Sequence, residues 1–187
     1  MSRARSARPY ERFGLAVLTP TKDLGSQCSP LRNIIMYKDI VKKLIETKIT
    51  VATAESITGG LISKLITDVP GSSNILKESF IVYSNEAKIN ILGVDAEVID
   101  KHGVVSKEVA RDMVIRLKLL TGRDLCISTT GNAGPTVCDD KPVGRVYVGI
   151  DYFDEVKVFE LNLTGDRCDI RNKTADFIFD EIGKILN

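Results

Sequence analysis

From residue 34 onward, apolar residues recur alternately at helical spacing and in short strand-like runs, and this alternation constrains the fold of the 187-residue chain more than any other feature. The stretch MYKDIVKKLIETK puts Ile40, Val41, Leu44 and Ile45 on one helical face, and ITVATA follows as a buried strand. A helix over residues 59–67 ends at the turn VPGSS. SFIVYS then reads as a strand, NEAKINILG as a short helix capped by Asn85, and DAEVIDKHG as another. Ser106 caps KEVARDMVIRLKLLTG, where Gly122 occupies the stop position. DLCISTT is an apolar strand opening into the loop GNAGPTVCDDKP. VGRVYVGID and EVKVFELN pair as an antiparallel hairpin turning near Asp154. A last helix from Asp166 carries Thr174, Phe177, Ile178, Ile182, Ile185 and Leu186 in one stripe.

The expected fold is therefore a three-layer α/β/α domain over residues 34–187, with a mixed, mainly parallel sheet and a C-terminal hairpin plus helix. Residues 1–33 show no sustained period and contain three prolines after an Arg/Ser-rich start, which reads as a flexible N-terminal extension. Glu11 and Asp23 interrupt any likeness to a transit segment.

Charge narrows the partners. The 26 basic side chains nearly balance 25 acidic ones, so there is no electrostatic footprint for nucleic acid or an anionic membrane. No apolar run reaches the length of about 18 residues that a membrane helix needs. Cys28, Cys126, Cys138 and Cys168 lie far apart without C-x-x-C spacing, which fits reduced thiols in a cytoplasm better than a zinc knuckle or redox pair. The only histidine, His102, sits in DKHGVVS, a helix end with Gly103 as cap. A Ser-His-Asp triad would have to use it, and a metal site would have at most one imidazole.

Chemistry concentrates where strand gives way to helix. In AESITGG, Ser56 follows Glu55, and Gly59 and Gly60 let backbone approach a ligand closely, as an oxyanion or phosphate binder requires. Ser56 or Thr58 read only locally is a helix cap; read as a nucleophile, Ser56 needs a base. The segment YSNEAK offers Lys88, four residues past Ser84 at a helix start, where partial positive charge favours the neutral amine. An unperturbed lysine is only about one part in two thousand neutral at pH 7, so its environment must lower its pKa. Tyr83 precedes the helix and is placed to bond both hydroxyl and amine. Arg167 and Arg171, four apart, share one helix face, as a phosphate clamp needs.

The stretches TVATAESITGGLISKLITDVPGSS, YSNEAK, LGV, GVVSKEVARDM, TTGNAGP, KPVGRVYVGI and GDRCDIRNKTADF occur together in an order that resembles the C-terminal domain of the competence-damage-inducible CinA family. The stand-alone members of that family include the nicotinamide-nucleotide amidases. The resemblance implies a serine amidohydrolase that converts nicotinamide mononucleotide to nicotinic acid mononucleotide and ammonia. It implies Ser56 as nucleophile and Lys88 as base with Tyr83 beside it. It places Glu55, Thr58, Gly59, Gly60, Thr130, Gly131, Arg167 and Arg171 in the substrate-binding set, with Arg171 on the phosphate side.

No cofactor loop and no metal-ligand cluster is evident, so the chemistry is expected to be cofactor-free, on a small-molecule nucleotide, in a cytoplasmic homo-oligomer, a dimer. Many relatives carry a further N-terminal domain, for which residues 1–33 are too short. Three departures from the family pattern stand out: Ile57 where cysteine is common, Glu78-Ser79 where a glycine pair is usual, and residues 136–140 where the loop is usually glycine-rich. They motivate the rival expectation of a CinA-like module that binds a nucleotide or partner without turnover.

Overall fold

In the computed structural model, residues 34–187 are described; the expected flexible extension over 1–33 lies outside the described residues. The chain runs α1 (Ile34–Thr47), β1 (Val51–Glu55), α2 (Leu61–Thr67), β2 (Leu76–Ile81), α3 (Asn85–Ala87), α4 (Ala96–His102), α5 (Lys107–Thr121), β3 (Leu125–Gly131), β4 (Arg145–Tyr152), β5 (Glu155–Asn162) and α6 (Arg167–Ile185). A short 3₁₀ turn, Ser72–Asn74, precedes β2, and a wide π turn, Lys88–Leu92, extends α3.

The sheet order is β2-β1-β3-β4-β5. β1 is parallel to β2 and β3, β4 is antiparallel to β3, and β5 is antiparallel to β4, so only β4 runs against the other four strands. Every residue of β1 is buried, because strands flank both its edges and helices cover both its faces. On one face α1, α2 and α6 enclose Val41, Leu44, Ile62, Ile66, Ile178 and Phe179. On the other, α4, α5 and the π turn enclose Leu92, Ile99, Met113, Val114 and Leu117. This is the three-layer architecture that the periodicity predicts.

Local signals explain most element ends. Ser106 Oγ accepts the Val109 N–H at 3.2 Å, and Gly122 stops α5 in the left-handed region at φ 66°. Asp166 and Asp169 form a reciprocal capping box at α6. Phe153 and Asp154, both at positive φ, make the tight turn between β4 and β5. α4 ends at His102 with Gly103 at φ 77°, and His102 Nδ1 faces Glu108 Oε2 at 3.8 Å.

Three expectations shift. The second strand is Leu76–Ile81, not residues 79–84, because β1 supplies partners only as far as Glu55, opposite Ile81. The Val82 N–H makes the last bond, to the Glu55 carbonyl. The cap of α3 is Ser84, which is extended and accepts the Ala87 N–H at 3.1 Å; Asn85 is already helical. Cys126 and Cys138 are free thiols, whereas Cys168 is disulfide-bonded, so the reduced-thiol expectation fails there. Absence of C-x-x-C spacing excludes only local pairs. No helix among the described residues is long and apolar enough to cross a membrane.

Candidate active site

β1 leaves toward α2 on one face of the sheet, while β2 leads through α3, α4 and α5 on the other before β3 returns beside β1. The crevice beyond the carboxyl ends of these three parallel strands is a topological switch point, the place where open α/β sheets bind ligands. A cavity of about 150 Å³ lies there, with Ser56, Lys88, Thr130, Gly131, Cys138 and Arg167 among its walls.

Ser56 is the first residue beyond β1. Its N–H is held by Thr129 on β3, through the carbonyl at 3.1 Å and Oγ1 at 3.2 Å. Lys88 arrives from the opposite layer on the π turn, a local geometry frequent at functional sites. Its side chain is 1% exposed, and Nζ donates to Ser56 Oγ at 3.1 Å and to the Val82 carbonyl at 3.0 Å. Burial pushes the Lys88 amine down to about 8, with the Cys138 thiol on the cavity wall pulling weakly the other way. Among the described residues Lys88 enters no ion pair, so the neutral amine is accessible near physiological pH. When it is neutral, the Val82 carbonyl can hold one N–H while the lone pair faces the Ser56 hydroxyl.

The end of β3 and the turn after Ser56 bring backbone N–H groups to this end of the sheet. Even-numbered residues of β3 bond β4, as in Phe153 N–H to Asp124 O and Asn132 N–H to Arg145 O, while odd-numbered ones face β1, as in Leu125 N–H to Thr50 O. Gly131 therefore directs its N–H past the end of β1, beside Ser56. Glycine is required here: a Cβ would lie 2.8 Å from the Arg145 carbonyl oxygen and 2.9 Å from Ile57 Cδ1. Among the described residues no backbone acceptor takes the N–H of Ile57, Thr58 or Gly59 either.

The other expected residues separate into two groups. Thr130 and Gly131 line the cavity, with Thr130 Oγ1 tied to the Val104 carbonyl at 2.8 Å. Tyr83 lines it too, but its hydroxyl accepts from Arg167 Nη2 at 2.8 Å and is bonded to neither Ser56 nor Lys88. Arg167 also donates to the Gly134 carbonyl at 2.9 Å. Arg171, one turn on, does not line the cavity; its guanidinium binds the Thr58 carbonyl at 2.6 and 3.2 Å and so braces the turn that carries Ser56. The two arginines share a helix face without forming one clamp.

Thr58 Oγ1 pairs with Thr129 Oγ1 at 2.9 Å below the cavity. Gly59 and Gly60, at φ 56° and 92°, shape the turn into α2. Glu55 is fully buried and faces α2, not the cavity.

Sequence reasoning missed Thr129, Cys138 and the wall contributed by residues 104 and 105. Thr129 carried a signal, since its place before Thr130 in a buried strand directs its hydroxyl to the opposite face. The loop after β3 closes this wall. Asn132 bonds the carbonyls of Cys138 at 3.0 Å and Lys141 at 2.9 Å, and Asp139 accepts the Val105 N–H at 2.8 Å. Lys141 Nζ reaches the His102 carbonyl at 3.2 Å and also the Val105 carbonyl.

Of the departures from the family pattern, Glu78-Ser79 lies away from the cavity. The Glu78 carboxylate is gripped by Arg123 at 2.6 and 2.8 Å, which lowers its pKa from the ordinary value. Ser79 Oγ bonds the hydroxyls of Thr53 and Ser63. Ile57 and Cys138 do reach the wall.

Known proteins share this fold. The family model of the CinA C-terminal domain matches residues 34–186. A CinA-like protein of Fusobacterium nucleatum is 48% identical over 143 residues, covering 76% of this chain and 35% of that protein. A CinA superfamily protein of Klebsiella pneumoniae superposes with a TM-score of 0.79 at 26% identity, over 82% of this chain and 97% of the other. The competence/damage inducible protein CihA of Agrobacterium tumefaciens gives 0.78 at 29% identity, over 82% and 95%. The chain spans from 33% to 45% of the length of the curated relatives it matches. With its sheet, its switch-point cavity and nearly all its described residues inside the match, this chain belongs to the CinA C-terminal domain family.

Proposed function

We propose that the protein is an amidohydrolase that hydrolyses the carboxamide of nicotinamide mononucleotide to nicotinic acid mononucleotide and ammonia. The observation that carries this reading is the buried Lys88 amine 3.1 Å from Ser56 Oγ at the wall of an open cavity. A buried lysine without a carboxylate partner is costly to keep as an ammonium, and it serves a purpose as a base.

Lys88 takes the Ser56 proton as Oγ attacks the carboxamide carbon. The developing oxyanion is met by backbone N–H groups, that of Gly131 and those of the turn after Ser56, each such donor contributing on the order of 3 kcal/mol. Collapse breaks the C–N bond, and the proton held on Lys88 goes to the departing nitrogen, which leaves as ammonia. Water then attacks the acyl ester with Lys88 again as base, releasing the carboxylate and restoring the serine.

A cavity of about 150 Å³ is of the size that holds a single six-membered ring. Arg167, which lines the cavity with Tyr83, suits the phosphate end of the substrate better than Arg171, which does not line it. The Ser–Lys contact favours turnover over the binding-only alternative.

The test is incubation of the purified chain with nicotinamide mononucleotide, following ammonia and nicotinic acid mononucleotide together. Equal amounts of the two products are expected, and none from Ser56→Ala. Ligand-induced thermal stabilisation with no product would establish a binding module instead.

A further inference from the structure

Glu55 immediately precedes the nucleophile and is completely buried, yet it enters no ion pair among the described residues. Its neutralisation comes from backbone. Oε2 accepts the N–H groups of Gly60 at 2.9 Å and Ile62 at 3.2 Å, and Oε1 accepts the Ser63 N–H at 2.9 Å and the Ser63 hydroxyl at 2.5 Å. The backbone donors belong to the first turn of α2, which have no partner inside their own helix. Gly60, at the cap position, has no side chain to offer them. A carboxylate from β1 thus caps the helix that follows, reaching across the five-residue turn that carries Ser56 and its free N–H groups.

We infer that Glu55 is a positioning residue for the nucleophile. It does not line the cavity and contacts no reacting atom; the turn is closed at one end by Thr129 on the Ser56 N–H and at the other by Glu55 on the Gly60 N–H. With both ends fixed, Ser56 Oγ stays within bonding distance of Lys88. Ser63 strengthens the grip by adding its hydroxyl, which also bonds Ser79 on the edge strand. Sequence comparison alone would place Glu55 with substrate-binding residues; the hydrogen bonds place it behind the turn. This inference rests on the Ser56–Lys88 reading but not on the identity of the substrate.

The test uses Glu55→Gln, which keeps size while replacing one acceptor oxygen by a donor group, so that part of the α2 cap is lost. In the amidase assay kcat should fall about 10- to 100-fold with KM within about twofold, because a misplaced nucleophile loses rate and not binding. The acid limb of the pH profile, which reports Lys88, should keep its midpoint. A serine-reactive fluorophosphonate should label the unaltered chain at Ser56 and label Glu55→Gln more slowly by a similar factor. If nicotinamide mononucleotide proves inert but labelling shows that contrast, the positioning role stands and only the substrate assignment falls.

Ser63→Ala removes a single bond to Oε1, so it keeps the inference testable should Glu55→Gln fail to fold. It is expected to slow labelling about threefold with little change in melting temperature. Labelling and kcat within about twofold of the unaltered chain in the variant that folds would overturn the inference. So would a raised KM at unchanged kcat in Glu55→Gln, which would mark Glu55 as a substrate contact.

Discussion

Titration between pH 6 and 10 should reveal Lys88 in activity and in stability at once. With the amine at about 8 instead of its ordinary 10.5, about one molecule in ten carries the neutral base at pH 7, against well under about one in a thousand for an exposed lysine. The kcat/KM of the amidase reaction should therefore climb about tenfold per pH unit up to about 8 and then level off. Lys88→Arg, which stays charged, should be as inactive as Lys88→Met.

The same shift acts on folding with a definite sign. The unfolded chain holds the Lys88 proton up to about 10.5 and the folded chain only to about 8, so stability rises with pH across that window. Below pH 8 the full penalty, about 3 kcal/mol, is present. Lys88→Met removes it while leaving the Val82 carbonyl and the Ser56 hydroxyl without that partner, so the variant should be about 1–3 kcal/mol more stable at pH 7. The gain should disappear by about pH 10.5. Urea denaturation at pH 7 and pH 10 measures the difference. A flat kcat/KM between pH 6 and 9, or a Lys88→Met variant less stable than the parent at pH 7, would refute the argument that burial sets this amine.

Ser56→Ala should abolish turnover and fluorophosphonate labelling while changing stability by no more than about 1 kcal/mol, read by kinetics and thermal melting. Gly131→Ala drives a methyl against the Arg145 carbonyl and Ile57, so it should cost about 1–3 kcal/mol and most of the activity; parental kcat and melting temperature would contradict the close approach assigned to Gly131. Arg167→Ala should raise KM for the mononucleotide about tenfold with kcat largely kept, whereas KM for nicotinamide riboside, which lacks the phosphate, should not change.

The sequence carried the elements whose signals are local. Ser106, Gly122, Asp166 and the Phe153–Asp154 turn act through their own backbone neighbours, so periodicity and cap chemistry located α5, α6 and the hairpin. β2 was displaced because its end is set by where β1 stops, a tertiary fact that no window of six residues contains. Site residues divide in the same way. Ser56 and Lys88 stood out by type and setting, but the destinations of long side chains did not. Arg167 and Arg171 have the same helical face and opposite fates, decided by which carbonyl lies within reach. Glu55 and Tyr83 show the same limit: their places in the sequence did not say that the carboxylate turns to the α2 amides or that the phenol meets Arg167.

The placement of the pair also explains why such a base requires this kind of fold. Ser56 rides on the passage from β1 toward the α1–α2–α6 layer, and Lys88 comes from the π turn in the opposite layer, where its neighbours Ala87 and Ile89 pack on the second apolar cluster. They meet only at the end of β1, the one strand buried along its whole length. A lysine reaching that point from a dry layer loses its water before it meets the serine, and in the proposed mechanism that loss is what lets it act as a base near neutral pH. A nearby carboxylate would relieve the cost to folding and destroy the function, because it would return the amine to its charged form. The carboxylate that precedes Ser56, that of Glu55, is turned into the α2 amides. The site is thus held together by backbone donors and not by ion pairs, and the destabilisation expected from Lys88 is inseparable from its reactivity.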